Sequence, residues 1–584
     1  MNERWYLHTK KADFNEIGRK YHISTIIAKI IRNRDVVGDE AIQNYLHPKT
    51  EFMDSPWLFK DMDAAVDLLN IKIDSEMKIR VIGDYDVDGI CAGYMLLRGL
   101  RELGANVDLV VPHRIEDGYG INERLIEKAY DDGIDTIVTC DNGIAAIEPI
   151  KRAKELGMTV IITDHHEVPF EETPNGKDYQ IPPADAVVNH KQVDCNYPFK
   201  ELCGAMVVYQ TLMALFESRG ENQRKVRELL PYGAMATVCD VMSLVGENRA
   251  IVRFGIKQFR ELKDLGLKTL IQVCKLDCNQ ITPYHLGFVL GPNLNASGRL
   301  DTAGKAIKLL EEKDPEQAQV LARKIYELNE ERKTMTEQYR LQAIREAKEM
   351  QDRVLVVYIP ECHESIAGII AGKVRDYFHK PTFILTNGEN GVKGSGRSIE
   401  EYNMYEALTG VKELLSKFGG HPMAAGVSLE KENVEKFRKR INENCNLSED
   451  DLYLKVWIDT TLPFDYISKE LVEELKYLEP FGKGNPKPVF AEKNLQLVHL
   501  KIRGKEGNVL SLFVEDEGHR RMPAVIFQRS QEFLAFIVEK FGQEELDKAM
   551  AGRKNSIRFM ATFYPGINEF QGNQTLQLVI DRFC

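Results

Sequence analysis

No run of apolar residues in this chain approaches the roughly 20 that a membrane span needs. The opening stretch MNERWYLHTKKADFNEIG has no apolar core, so a secretory leader is not expected and the cytoplasm is the expected location. Positive charge is not in excess either. The formal net charge is -12, which excludes a uniformly basic coat but leaves room for a local basic groove on an acidic protein. Ten cysteines offer one close pair, Cys274 and Cys278, with no second pair after it, so a zinc or iron–sulfur framework is not expected. Internal repeats and low-complexity tracts are absent. At 584 residues the chain exceeds what one core supports, and two to four domains are expected.

Alternation is present instead. Between residues 76 and 250, the apolar runs KIRVIGDYD, VDLVVPH, IDTIVTCDNG, MTVIITDHH and ADAVVNH are separated by helical patterns such as GICAGYMLLRGLREL and AAIEPIKRAKEL. Short apolar strands alternating with helices predict a mostly parallel sheet covered on both faces. Functional sites in such sheets form at the carboxyl ends of the strands. Residues 1–75 read as a helical N-terminal cap segment. Residues 76–304 form the first α/β domain and 305–349 a long charged connecting helix. Residues 350–455 form a second α/β lobe. Beyond 456, the runs NLQLVHLKI, VLSLFVED, RMPAVIF, SIRFMATFY and TLQLVIDRF predict a small β-barrel.

Four places in the first domain put hard donors after an apolar stretch. They are Asp84, Asp86 and Asp88 in GDYDVDG, Asp141 in CDNG, Asp164-His165-His166 after TVIIT, and Asp240 in ATVCD. Alternate carboxylates on a strand face the same side, and a strand that runs into a loop here would let the three Asp side chains converge. A lone aspartate at a strand end more often caps the next helix. Four such ends in one sheet point to metal. Mixed Asp and His ligation suits Mn²⁺, with Mg²⁺ as the alternative. Two ions bridged by one carboxylate, roughly 3.5–4 Å apart, suit hydrolysis of a phosphodiester. Arg114, Arg299 and Arg397 would read singly as surface charge. Glycine precedes the latter two, in NASGR and GSGRS, where close backbone approach and a guanidinium fork suit phosphate. Phe513, Phe527, Phe559, Phe563 and Tyr564 in the C-terminal strands read mostly as barrel core, with some as base platforms beside Arg503, Lys505, Arg520, Arg521, Arg553 and Lys554.

The triplet Asp164-His165-His166 resembles the signature of the DHH phosphoesterases. GDYDVDG, Asp141-Asn142-Gly143 and Asp240 follow that family's other motifs in order. PHRIEDGYG (112–120), GPNLNASGRL (291–300), CHESIAGIIAGKV (362–374), GSGRS (394–398), FGGHPMAAG (418–426) and LEPFGKGNPKPVF (478–490) narrow the resemblance to the RecJ exonuclease family, over nearly the whole chain.

The resemblance implies a DHH lobe joined by a long helix to a DHH-associated lobe, then an oligonucleotide-binding (OB-fold) barrel. It implies 5′-to-3′ digestion of single-stranded DNA to 5′-mononucleotides in repair and recombination. The metal set it implies is Asp84, Asp86, Asp88, Asp141, His165 and Asp240, holding two Mn²⁺ ions with Asp141 bridging. His166 would face the phosphate and Asp164 would orient an imidazole. Arg114 and Arg299 would meet the 5′-terminal phosphate, while Ser395, Arg397, Gly420 and His421 would bind the strand. A helicase and a single-strand-binding protein are the implied partners, and the chain is expected to be a monomer. Departures from the pattern are Asn293 for Arg, Cys362 for Trp, Glu364-Ser365 for Pro-Gly and His190 for Pro. Two other readings stand beside this one: a phosphodiesterase of short oligonucleotides or cyclic dinucleotides, and a binding protein that keeps the fold without catalysis.

Overall fold

The computed structural model describes residues 3–49, 51–112, 120–174, 176–388, 391–504, 507–570 and 572–584. They fall into two compact units, one built mainly from residues 50–454 and the other from 3–49, 455–481 and 485–584. The sequence predicts one segment over 1–75; in the structure residues 3–49 pack with the barrel.

The first unit opens on a five-stranded sheet. Its strands are β1 (Lys78–Ile82), β2 (Asn106–Val110), β3 (Thr136–Cys140), β4 (Thr159–Thr163) and β5 (Ala186–Val188). Their order is β2-β1-β3-β4-β5, every pair parallel. The apolar runs lack polar alternation because both faces are covered. Ile79, Val81, Val138 and Ile161 enter one core with the helices α1 (Val87–Glu102), α2 (Gly204–Ser218) and α3 (Leu230–Cys239). Ile82, Ile137, Val160 and Ile162 enter another on the opposite face.

Helix α4 (Gly291–Leu300) precedes the connector α5 (Pro315–Lys348). The connector is shorter than expected at its start, since Gly304–Glu311 forms a separate helix. Asp314 caps α5 by accepting from Gln317 N, and Pro315 fits the first turn, where no N–H partner is needed. At 34 residues the helix runs about 50 Å. Ala318, Ala322 and Ile325 near its start bury in the first lobe's core, and Ala343, Ile344 and Ala347 near its end bury in the second lobe's.

The second lobe has β6 (Leu355–Tyr358), α6 (Glu364–Phe378), β7 (Thr382–Gly388), β8 (Gly391–Arg397), β9 (Lys417–His421) and β10 (Ala424–Leu429). The sheet order is β9-β10-β8-β7-β6, with only β6–β7 parallel.

The second unit is a barrel of β11 (Phe490–Arg503), β12 (Val509–Glu515), β13 (Arg521–Phe527), β14 (Arg558–Phe570) and β15 (Asn573–Phe583). Pairing of β11 with β14 closes it. Two helices absent from the sequence expectation, α7 (Ser530–Phe541) and α8 (Gln543–Met550), lie between β13 and β14 and contribute Phe533, Ile537 and Leu546 to its core. Ile27, Ile30, Ile31 and Leu46 from the N-terminal helices enter the same core.

Candidate metal centre

The carboxylates converge by loops and helix ends rather than by strand alternation. After β1 the chain turns at Gly83. Asp84 is buried in the loop, Asp86 caps α1 by accepting from Gly89 N at 3.1 Å, and Asp88 lies in the first helical turn. The strand stops at Ile82 and the chain runs through the expected loop, and the convergence comes from that loop and the helix it enters. Asp88 accepts from Gly204 N at 2.7 Å and Ala205 N at 2.8 Å, which fastens its carboxylate to the amino end of α2.

Asp141 follows β3 with φ 61°, in the left-handed region that aspartate tolerates better than most residues. Asn142 steadies this turn by donating from its side chain to the carbonyls of Ile82 (3.1 Å) and Cys140 (2.9 Å). Asp164 follows β4. One of its oxygens accepts from Ile144 N, and the other from His165 N, His166 N and, at 2.8 Å, His166 Nδ1. His165 is turned the other way. Its Nε2 lies 3.1 Å from Asp141 Oδ1, 3.7 Å from Asp88 Oδ2 and 3.8 Å from Asp240 Oδ2. Asp240 was expected after a strand, but it sits at the carboxyl end of helix α3.

Three overlapping groups result: Asp84, Asp86 and Asp141; Asp88, His165 and Asp240; and Asp141, His165 and His166. Within each, one potential ligand atom per residue lies within 4.8 Å of the others. Asp141 and His165 each belong to two of them, and of the two only the Asp141 carboxylate has a second oxygen to offer a second ion.

The electrostatics of the cluster favour binding of positive charge. Burial first, then repulsion from Asp88 and its neighbours, pushes Asp141 well above the ordinary carboxylate range and Asp240 up to about 8. Asp86 is raised by burial and by Asp88. His165 is lowered, burial outweighing the Asp88 charge, so the imidazole stays neutral and its lone pair is available. Its Nδ1 is buried with no hydrogen-bond partner among the described residues. His166 behaves oppositely. Burial would lower it, but the bond to Asp164 and the surrounding carboxylates carry it up to about 9, and Asp164 falls to about 2 despite its burial. Crowded buried carboxylates with a neutral imidazole fit hard divalent cations, Mn²⁺ or Mg²⁺.

Basic residues gather nearby, at the junction of the lobes. A cavity of about 330 Å³ is lined by Arg299, Arg397, Lys373, Ser395, Ser365 and Glu364, among others. Arg299 donates to Ser365 O at 2.6 Å. The glycines work differently from the sequence expectation. Gly298 lies inside α4, where a Cβ would stand 2.6 Å from Tyr85 O, so it lets the helix pack on the Asp84–Asp86 loop. Gly368 on α6 makes room for Arg397, whose Nη2 would lie 2.8 Å from a Cβ there. A second cavity of about 400 Å³ is lined by Tyr85, Phe418, Lys393 and Lys417 and shares Glu364, Ser365 and Ser395 with the first. Gly420 and His421 lie exposed at the end of β9 and line neither cavity. Arg114 and Lys505 lie outside the described residues. Lys373, Lys393, Lys417 and Gly204 were not singled out from sequence. A faint signal for the first cavity was Gly368-x-x-x-Gly372 on α6, a small-residue face that admits Arg397.

Residues 78–237 match the DHH family N-terminal domain, 351–447 the DHHA1 domain and 458–582 the RecJ OB domain. The single-stranded-DNA-specific exonuclease RecJ of Salmonella typhimurium is 32% identical over 90% of this chain and 91% of its own length. RecJ of Bacillus subtilis is 35% identical over 88% of this chain, which spans 64% of that longer protein. The crystal structure of RecJ in complex with Mn²⁺ from Thermus thermophilus superposes with a TM-score of 0.82 at 25% identity, covering 100% of this chain and 80% of that one.

Proposed function

Because the chain belongs to the RecJ family of single-stranded-DNA-specific exonucleases, we propose that it removes nucleotides one at a time from the 5′ end of single-stranded DNA, releasing 5′-mononucleotides. The observation that carries this reading is Asp141 shared between two ligand groups, beside a basic cavity at the lobe junction. The metal set is Asp84, Asp86, Asp88, Asp141, His165 and Asp240, suited to two Mn²⁺ or Mg²⁺ ions. When bound, the ions supply Lewis acidity for attack of water on phosphorus.

The chain's own residues do the rest. His166, protonated near neutral pH through Asp164, presents positive charge to the scissile phosphate. Asp88, with both oxygens bonded to the start of α2, is as much a strut for the site as a ligand. Arg299, Arg397 and Ser395 hold strand phosphates in the cavity they share. Because Arg299 and Arg397 line one cavity, both would read the 5′-terminal phosphate, together with Arg114. Gly420 and His421 would meet the strand farther along the second lobe. The barrel, with its basic and aromatic residues, would hold longer strands. Among the described residues no helix is long and apolar enough to cross a membrane. A cytoplasmic monomer working beside a helicase and a single-strand-binding protein completes the reading.

The test is hydrolysis of 5′-labelled single strands by the full chain. Chelation should stop it, Mn²⁺ should restore it, and mononucleotides should be the first product. Asp141→Ala should abolish turnover with the fold retained. Near-normal turnover in that variant would overturn the two-ion assignment.

A further inference from the structure

Glu364 is one of two acidic residues, with Asp376, in a place that otherwise collects positive charge; Asp376 lines only the smaller cavity and pairs with Arg375, whereas Glu364 lines both. It stands in the first turn of α6, lines both cavities at the lobe junction, and occupies a position where the family pattern has proline. A glutamate in a first helical turn gains from the helix dipole, and that alone would account for it on an open surface. Here its Oε2 lies 2.9 Å from Lys393 Nζ, and both side chains remain partly exposed, at 26% and 45%. Lys393 comes from β8, two residues before Ser395, and points into the larger cavity, where Lys417 is the other cation. The ion pair therefore ties up one of the two lysines that a strand leaving the arginine cavity would meet. The carboxylate lines both cavities, so its charge opposes a phosphate in either.

We propose that Glu364 sets the strand affinity of this exonuclease by holding Lys393 away from the DNA backbone and by placing negative charge in both cavities. This rests on the single-stranded-DNA reading above and adds to it. An exonuclease that cuts one nucleotide at a time must let the strand advance after each cut. A backbone held at every available cation would resist that advance, because each contact must break and re-form. Glu364 weakens the hold in the larger cavity while leaving Arg299 and Arg397 for the leading phosphate.

The experiment compares the full-length wild type, E364Q, K393Q and the double variant. Each is titrated against a labelled oligothymidylate in chelator, where hydrolysis stops, over a series of salt concentrations. E364Q is expected to bind roughly three- to tenfold more tightly at low salt. Its plot of log Kd against log salt should steepen by about 0.7, the value for one additional phosphate contact on a single strand. K393Q should weaken binding by less than E364Q strengthens it, and in the double variant the part of the E364Q gain that comes from releasing Lys393 should be gone, leaving only the part due to the removed negative charge. A helix-capping role alone would move the unfolding temperature and leave the salt slope unchanged. Unaltered or weaker binding by E364Q overturns the proposal. So does a K393Q loss larger than the E364Q gain, since Lys393 would then already hold the strand, and that arm stands even if E364Q folds poorly. Wild-type protein that neither binds nor cuts single strands would sink the exonuclease reading and this inference together. A wild type that does both, with an E364Q slope that stays put, sinks this inference alone.

Discussion

Asp164 belongs to none of the three candidate ligand groups, yet both of its oxygens are engaged. One oxygen fixes Ile144 N, and the other accepts from two backbone N–H groups and the His166 ring. An asparagine there keeps one acceptor oxygen and turns a donor toward groups that already donate. Asp164→Asn should therefore let His166 drop from about 9 toward the ordinary histidine range. Turnover should fall about ten- to a hundredfold, as for other residues that orient a metal site. Calorimetric Mn²⁺ titration beside kcat separates the two consequences: kcat should fall by more than metal affinity does.

A second residue-scale prediction concerns Glu247, away from the metals. It is buried, accepts from Tyr197 Oη at 2.7 Å and from Asp54 N at 3.0 Å, and is raised by that burial to about 7 despite the Tyr197 bond. The folded state thus binds its proton more tightly than the unfolded chain does. Its stabilising contribution is complete below pH 4.5, declines as pH rises, and is gone above about 7. The span amounts to roughly 3 kcal/mol. Glu247→Gln should flatten the fall of Tm between those two pH values, leaving the variant relatively more stable at pH 8 than at pH 4. An unchanged slope would place the titration elsewhere.

Asp84, Asp141 and His165 were legible because each follows an apolar run that could only be a buried strand. Asp240 was misplaced because ATVC is too short to tell a strand from a helix end. The amide bonds to Asp88 come from residues more than a hundred positions away, and no local pattern encodes them.

At the scale of elements, α2 does more than cover the sheet. Its amino end points at the centre, and its first N–H groups are taken by Asp88. The positive end of the helix dipole then offsets part of the repulsion among the carboxylates. This approach requires Gly204, since a Cβ there would stand 2.6 Å from Asp141 Cβ and 2.9 Å from its Cα. Gly204→Ala should either push α2 back or tilt Asp141. Mn²⁺ affinity should weaken by about tenfold or more with no ligand removed, while circular dichroism stays that of the wild type. Wild-type Mn²⁺ affinity in this variant would show that α2 can yield without disturbing Asp141.

The parallel sheet and the long connector were readable because their apolar periods are sustained over many residues. Helices α7 and α8 were not. SQEFLAFIVEKF carries apolar residues at 533 to 538 and at 541, and the continuous run serves a buried strand as well as a helix in a segment already rich in strands.

For the whole molecule, the decisive arrangement is that the chain's beginning belongs with its end. Residues 3–49 share one unit and one core with the barrel, although the metal centre and more than four hundred residues lie between them in sequence. Ile30 is fully buried in that core, in company with Leu471, Leu475 and Phe559. Placing a carboxylate there leaves it without a partner, at a cost on the order of several kcal/mol. Ile30→Asp should therefore damage the barrel from a position far from any of its strands in sequence. The expected outcome is a lowered unfolding transition, or a new early one, and weak binding of long single strands. Mn²⁺-dependent hydrolysis of a dinucleotide, which needs only the first unit, should continue at a rate close to the wild type's. The two readouts are measured on one preparation, so a general folding failure would show as loss of both. Parallel loss would mean that the first unit depends on the second for its fold. Retention of long-strand affinity in a barrel shown to be unfolded would mean that the strand is held by the lobe junction alone, through the cavities of Arg299, Arg397 and Lys417.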